Sequence, residues 1–506
     1  MRRHQILILA WLLAMSLGAV RGQTTDVSLA QRPWVEIRTA HFHFYSCGAL
    51  GSLYKLAARL EQFCTAYSQL AGTQALESPP IVVMAFPDQE SMKPFLPQHH
   101  GHPANLSGFF LHGHDENLIV LSLPPPEAPY MDLEVIFHEY GHFLFRHNDR
   151  VWPLWLKEGM AEIYSTFAIS GRSACIAVPI DRHLQTLATQ PLLPLADLFA
   201  VKEDSPQYNE RERQGLFYAE SWLLTHFLMT GDHPEYTARF GQFTTLLHQG
   251  MLPLPAFTNA LQAPLPRVQA DLQRYLARRT FRSVALTLGT NISAPVPSQL
   301  QRVVPAEVYF RLGDELLRVQ QLENAESFFV QGRKLAPKSP WLAEGLGLLA
   351  SQRDQPAEAL RYFKAAIDLG STSFLTYYEY AQEEYSATAD SQKRHTRLPD
   401  PQADEIRRGL LQSITLMPDF ASAHALLGFF EMVQGDHLEV AQEQLLRAIQ
   451  LEPENHSYLL SLAQLQMRTQ NPAAARQTLQ PLLRPNEAEE IRTQAQAMLN
   501  HLAGND

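Results

Sequence analysis

Cysteine is scarce in this chain: Cys47, Cys64 and Cys175 are the only three in 506 residues. Three thiols allow at most one intramolecular pair, so no disulfide framework holds the fold, and none of the three has metal-ligand spacing. They read as small buried hydrophobes. A strong excess of charge is missing too. The formal net charge of -11 is mild for this length and carries no nucleic-acid signature. Long apolar runs are absent after the N-terminus. The single run, Ile6 to Val20, follows Met1-Arg2-Arg3, approaches small residues near Gly18 to Gly22, and gives way to polar Gln23-Thr24-Thr25-Asp26. That pattern predicts a signal peptide over residues 1–22 and an exported chain, periplasmic or secreted. The alternative is an uncleaved N-terminal anchor, although the run is short for a membrane span. No cysteine lies near the cleavage region, which argues against lipid attachment there.

What is present is a large apolar fraction, 45% of residues, in a chain long enough for two or more domains. Trp34 to Tyr45 alternates as one or two short strands, and Leu53 to Leu70 has helical periodicity. Ile81-Val82-Val83-Met84 reads as a compact strand. Phe109-Phe110-Leu111, a polar turn at residues 112–117 and Leu118-Ile119-Val120-Leu121 read as a hairpin. Helices follow, which predicts an α+β domain over residues 30–285. Residues 286–304, rich in Ser, Pro and Val with little periodicity, read as a linker.

The densest chemistry lies at His138-Glu139-Tyr140-Gly141-His142. On a helix, positions i and i+4 share a face, so the two imidazoles can reach one metal ion, and Glu139 can take a proton from a metal-bound water. The flanking Leu133, Val135, Ile136, Phe137, Phe143, Leu144 and Phe145 predict a mostly buried helix, where an unpaired His-Glu-His cluster would be costly. The bland alternative is a pair of satisfied core histidines. A catalytic zinc needs a third protein ligand. Glu158 and Glu162, again i and i+4, offer one ligand and one carboxylate to fix an imidazole tautomer. The arrangement with Gly and His three and six residues after the second histidine is not met, because Phe145 and Asn148 stand there. Histidines 99, 100, 102, 112 and 114 lack a defensible ligand spacing and read as solvated loop residues.

Pro153-x-Trp155-Leu156-x-Glu158-Gly159-x-Ala161-Glu162, after a His-Glu-x-x-His helix, resembles the gluzincin zinc peptidases, which include thermolysin-like enzymes and zinc aminopeptidases. Residues 34–228 also resemble the small peptidase-MA-like bacterial domains. The resemblance implies His138, His142 and Glu158 as zinc ligands, Glu139 as general base and Glu162 as the acid behind a ligand histidine. Tyr218, on a helix over Gly215 to Met229, is a candidate donor to a tetrahedral intermediate; the alternative is a core tyrosine.

After the linker a period appears. Gly313 and Gly347 stand 34 residues apart, followed at equal offsets by Ala325 and Phe329, then Ala359 and Phe363. This is the tetratricopeptide pattern of paired helices, with small residues where helices approach and an aromatic in the gap. A third unit spans Phe374 to Pro418 around a polar insertion near Thr388 to Pro401. A fourth is marked by Gly428, Ala441, Ala448 and Pro453, and a fifth by Ala463, Ala475 and Leu479. Glu487 to Leu502 is expected to cap the array, so that residues 305–503 form an all-α solenoid.

The expectation is an exported zinc peptidase acting on a peptide or protein, with repeats that hold a protein partner and few contacts between the two modules. Two alternatives stand beside it: a catalytically idle scaffold whose repeats do the binding, and a metallohydrolase acting on something other than peptides.

Overall fold

The computed structural model describes residues 27–71, 81–99, 102–103, 106–113, 115–125, 133–145, 151–202, 204–209, 211–231, 233–287, 300–389, 395–485 and 487–503. The proposed signal peptide lies outside them, as do His100, His114 and most of the stretch read as linker. No helix among the described residues is long and apolar enough to cross a membrane.

A six-stranded sheet organises the N-terminal half. Its strands are β1 (Val35–Arg38), β2 (Phe42–Ser46), β3 (Ile81–Phe86), β4 (Gly108–His112), β5 (Asn117–Ser122) and, after β6 to β8 below, β9 (Leu300–Arg302). The spatial order is β9-β1-β2-β3-β5-β4. β2, β3 and β5 run parallel at the centre, and antiparallel strands close both sides. The expected strand at Ile81 and the hairpin at Phe109 to Leu121 are both present. Residues Leu300–Arg302, expected in a linker, form an edge strand against Val35 to Ile37.

The two faces of the sheet bury different cores, as the two-residue period of a strand dictates. Phe42, Phe44, Ile81, Val83, Phe110 and Ile119 point toward α1 (Leu50–Ala71) and α2 (Glu134–Phe145). Behind α2 lie α3 (Leu154–Ser165), α4 (Asp181–Thr189), α5 (Arg211–Thr230), α6 (Pro234–His248), α7 (Pro253–Leu261) and α8 (Leu265–Arg278), with a small sheet of β6 (Ala168–Ser170), β7 (Ser173–Ile176) and β8 (Val284–Thr287). Trp34, Tyr45, Val82, Met84, Phe109 and Val120 face the other way.

That second face is covered by the beginning of the helical array. The array consists of α9 (Pro305–Arg318) with α10 (Leu322–Leu335), α11 (Pro340–Gln352) with α12 (Pro356–Asp368), α13 (Phe374–Ala387) with α14 (Asp400–Leu416), α15 (Ala421–Gln434) with α16 (Leu438–Leu451), and α17 (Ser457–Arg468) with α18 (Pro472–Leu479). α19 (Glu489–Ala503) closes it, burying Ala495 and Leu502 against Leu460, Ala463, Ala475 and Leu479. This is an all-α repeat solenoid. The periodic small residues act as expected: a Cβ at Gly313 or at Gly345 would collide with the Phe329 ring, and one at Gly347 would sit 2.7 Å from Phe363.

The expectation of few contacts between the halves is not met. Val308, Tyr309, Leu312, Leu316 and Phe328 of the first repeat share one continuous core with the sheet. The reason is two-sided burial: β3 is buried at all six positions, Ile81 through Phe86, so its sheet needs cover on both faces.

Candidate metal centre

Three helices converge because small residues let their backbones approach. Gly141 of α2 lies against Ala161 of α3, where an added Cβ would make ordinary contact, 3.6 Å from the Ala161 Cα. On the opposite face of α3, a Cβ at Gly159 would collide with the Ser221 carbonyl and Thr225 of α5. α2 turns Ile136, Phe137, Tyr140, Phe143 and Leu144 into the core. His138, Glu139 and His142 take the partly open side.

The convergence brings the sequence-selected residues together. Nε2 of His138 and Nε2 of His142 are 3.1 Å apart. Oε2 of Glu158 lies 3.4 Å from the first and 3.3 Å from the second. Among the described residues this triad is the one group whose ligand atoms converge as a metal site requires, all within 4.8 Å of one another. Glu158 is 3% exposed, and its Oε2 is buried without a hydrogen-bond partner. Burial alone would raise its carboxyl, but the two imidazoles hold it well below the usual carboxylate range. Burial would lower His138; the carboxylates of Glu162, Glu158 and Glu139 outweigh that and raise it to about 9. The centre is therefore a well of negative potential that favours a cation. An orphaned buried carboxylate oxygen facing two imidazole nitrogens, at this donor chemistry, fits a zinc ion.

Glu162 approaches the other side of the His138 ring, 3.5 Å from Nδ1. Its second oxygen is 3.1 Å from both His183 Nε2 and Arg182 Nη2. Arg182 also pairs with Glu134 at the start of α2. Glu139 is half-buried, and its charge acts on both His138 and Tyr218. The Tyr218 ring lies 6.1 Å from that of His138, and burial, with the charge of Glu158, holds its hydroxyl protonated well above the usual tyrosine range.

Three participants escaped sequence reasoning. Arg182 and His183 open α4, and Tyr208 sits on a single helical turn, Pro206–Asn209, where its hydroxyl donates to Oε1 of Glu158 at 3.1 Å. No local spacing ties any of them to the His-Glu-x-x-His helix. The cysteines are unpaired, and Cys64 lies 2.9 Å from the Tyr140 hydroxyl inside the core.

No family model matches the chain, and no curated protein matches it. Several solved structures have likeness to part of it. YrrB, described as a TPR protein with an unusual peptide-binding site, shares 16% identity at a TM-score of 0.32 over 39% of this chain and 92% of its own. MamA from Desulfovibrio magneticus RS-1 shares 18% at 0.30, over 35% and 93%. PilF of Pseudomonas aeruginosa shares 16% at 0.30, over 40% and 89%. The helix pairs of the chain itself, rather than overlaps of this size, establish the repeat array.

Proposed function

We propose that the chain is a zinc-dependent metallohydrolase of the gluzincin type, acting on peptide bonds, with His138, His142 and Glu158 as ligands. The observation that carries this reading is the unpartnered Oε2 of Glu158 facing two imidazole nitrogens. A bound zinc would polarise the scissile carbonyl and acidify its water. The chain's own residues do the rest. Glu139 would hold the proton taken from that water and hand it to the leaving amine. Glu162, with His183 and Arg182 at its other oxygen, faces His138 Nδ1 at 3.5 Å, and its charge there favours a proton on that nitrogen, which leaves Nε2 to ligate. Tyr218, kept protonated, would donate to a developing oxyanion. The export reading rests on the N-terminal apolar run, and a peptide or protein partner on the repeats rests on the solenoid's extended surface.

The second reading is an idle scaffold in which the repeats bind protein partners and the metal centre is a remnant. The array of helix pairs, which fills the C-terminal part of the chain, favours it. Glu139 favours the first, because a purely structural zinc site needs no base and is closed by a fourth protein ligand. The test is zinc content and hydrolysis of a peptide library by the full chain and by Glu139→Gln. The variant is expected to keep its zinc and lose turnover by roughly 10²- to 10⁴-fold, the usual worth of a general base. Zinc-loaded wild-type protein that cleaves nothing in the library would turn the reading to the scaffold.

A further inference from the structure

The two oxygens of Glu158 are used unequally. Oε1 accepts a hydrogen bond from the Tyr208 hydroxyl at 3.1 Å. Oε2 accepts none and faces the two imidazoles. The phenol that makes this division is itself fixed. Its ring stacks on Tyr218, with centroids 6.0 Å apart and planes at 22°, and meets Phe217 edge-on at 5.8 Å. It also comes from outside the helices that carry the ligands.

A carboxylate near a cation can offer one oxygen or two. A hydroxyl donating to one oxygen draws electron density from it and blocks its turn toward the cation, so the other oxygen alone is presented. We propose that Tyr208 is a positioning residue that makes Glu158 a one-oxygen ligand, keeping a coordination position open for water or substrate. This rests on the zinc reading above. A two-oxygen Glu158 would occupy the place that a catalytic site must leave free.

The test uses the full chain with zinc and, separately, cobalt(II) as probes. Affinity is measured by titration against a chelator for wild type, Tyr208→Phe, Glu158→Ala and the double variant. Phenylalanine keeps both ring contacts, and thermal melting of the metal-free variant checks that it folds. Tyr208→Phe is expected to weaken zinc about tenfold, the lower end of what loss of a supporting partner costs. It should also lower the intensity of the cobalt visible bands, as a second carboxylate oxygen raises the coordination number. Because Tyr208 acts through Glu158, it should have no further effect once Glu158 is alanine. Wild-type affinity and spectrum in Tyr208→Phe, or an undiminished loss in the Glu158→Ala background, would overturn the inference. Wild-type zinc affinity in Glu158→Ala, and in His142→Ala measured beside it, would instead overturn the metal reading, and the inference with it.

Discussion

Arg318 of the first repeat grips Asp115 of the β4–β5 turn with both of its terminal nitrogens, Nη1 to Oδ1 at 3.0 Å and Nη2 to Oδ2 at 2.6 Å. The pair spans 203 residues of sequence and is nearly sealed from solvent. Asp314 lies 2.8 Å from Nε of the same guanidinium, and Arg311 reaches Glu116 at 3.1 Å and stacks over the Tyr45 ring. The first repeat thus spends its polar side on the sheet domain as well as its apolar side. An array of stacked helix pairs normally leans only on its own neighbours. Here the first pair is a layer of the α+β fold.

The division of the chain for expression follows from that layer. A chain ending at Thr287 loses β9, Arg318 and the apolar cover supplied by Val308, Tyr309, Leu312, Leu316 and Phe328. Each large side chain so uncovered is worth about 1.5–3 kcal/mol, and a domain's whole stability is about 5–15 kcal/mol. The shortened chain is therefore expected to be insoluble or to melt without a cooperative transition. A chain ending at Gly370 keeps the first two helix pairs and should melt cooperatively with its zinc bound. Calorimetry and metal analysis of the two proteins decide the matter. A cooperative, zinc-loaded protein ending at Thr287 would show that the shared core is dispensable.

The roles of the two glutamates of α3 separate by metal content. Glu158→Ala removes the oxygen that faces both imidazoles, whereas Glu162→Ala removes a carboxylate behind His138 and leaves the three proposed ligands in place. Glu158→Ala is expected to purify with little zinc. Glu162→Ala should retain it, with affinity lowered roughly ten- to a hundredfold. Metal analysis after dialysis against a weak chelator distinguishes them, and greater loss from Glu162→Ala would exchange the two assignments.

Local chemistry was legible in the chain, whereas tertiary closure was not. His138 and His142, or Glu158 and Glu162, are one helical turn apart, so helix geometry alone places each pair on one face. Tyr208 and His183 reach the centre through folding of short segments whose sequence carries no spacing rule. The same contrast holds for the architecture. Gly313 and Phe329 announce a helix pair because their offset recurs. Leu300-Gln301-Arg302 is too short to alternate, so its pairing with Val35 to Ile37 left no trace. The burial of Val308 and Tyr309 in the core of the sheet looks, in sequence, like burial against another helix. One signal did exist: Ile81 to Phe86 is apolar at six successive positions, more than a strand with one solvated face requires.

Glu220 ties the stability of the α+β half to pH. It is buried on α5, with Oε2 accepting from the Leu193 amide at 2.9 Å and Oε1 unpartnered. Burial raises its carboxyl from 4.5 to about 8, and the single amide hydrogen bond offsets only part of that. An acid whose folded value is raised binds its proton more tightly in the folded state. Its contribution is therefore fully favourable below the unfolded value, near 4.5, and declines as pH rises, levelling off above about 8 where both states are ionised. Glu220→Gln keeps an acceptor for Leu193 and cannot ionise, so it should remove this decline. Urea unfolding midpoints of wild type and variant are expected to lie close together near pH 5. At pH 8.5 the variant should be the more stable, in a protein whose metal has been removed from both samples so that ligand protonation is the same in each. Parallel curves across that range would mean that Glu220 is ionised in the folded protein, held by a partner that the Leu193 amide alone does not supply.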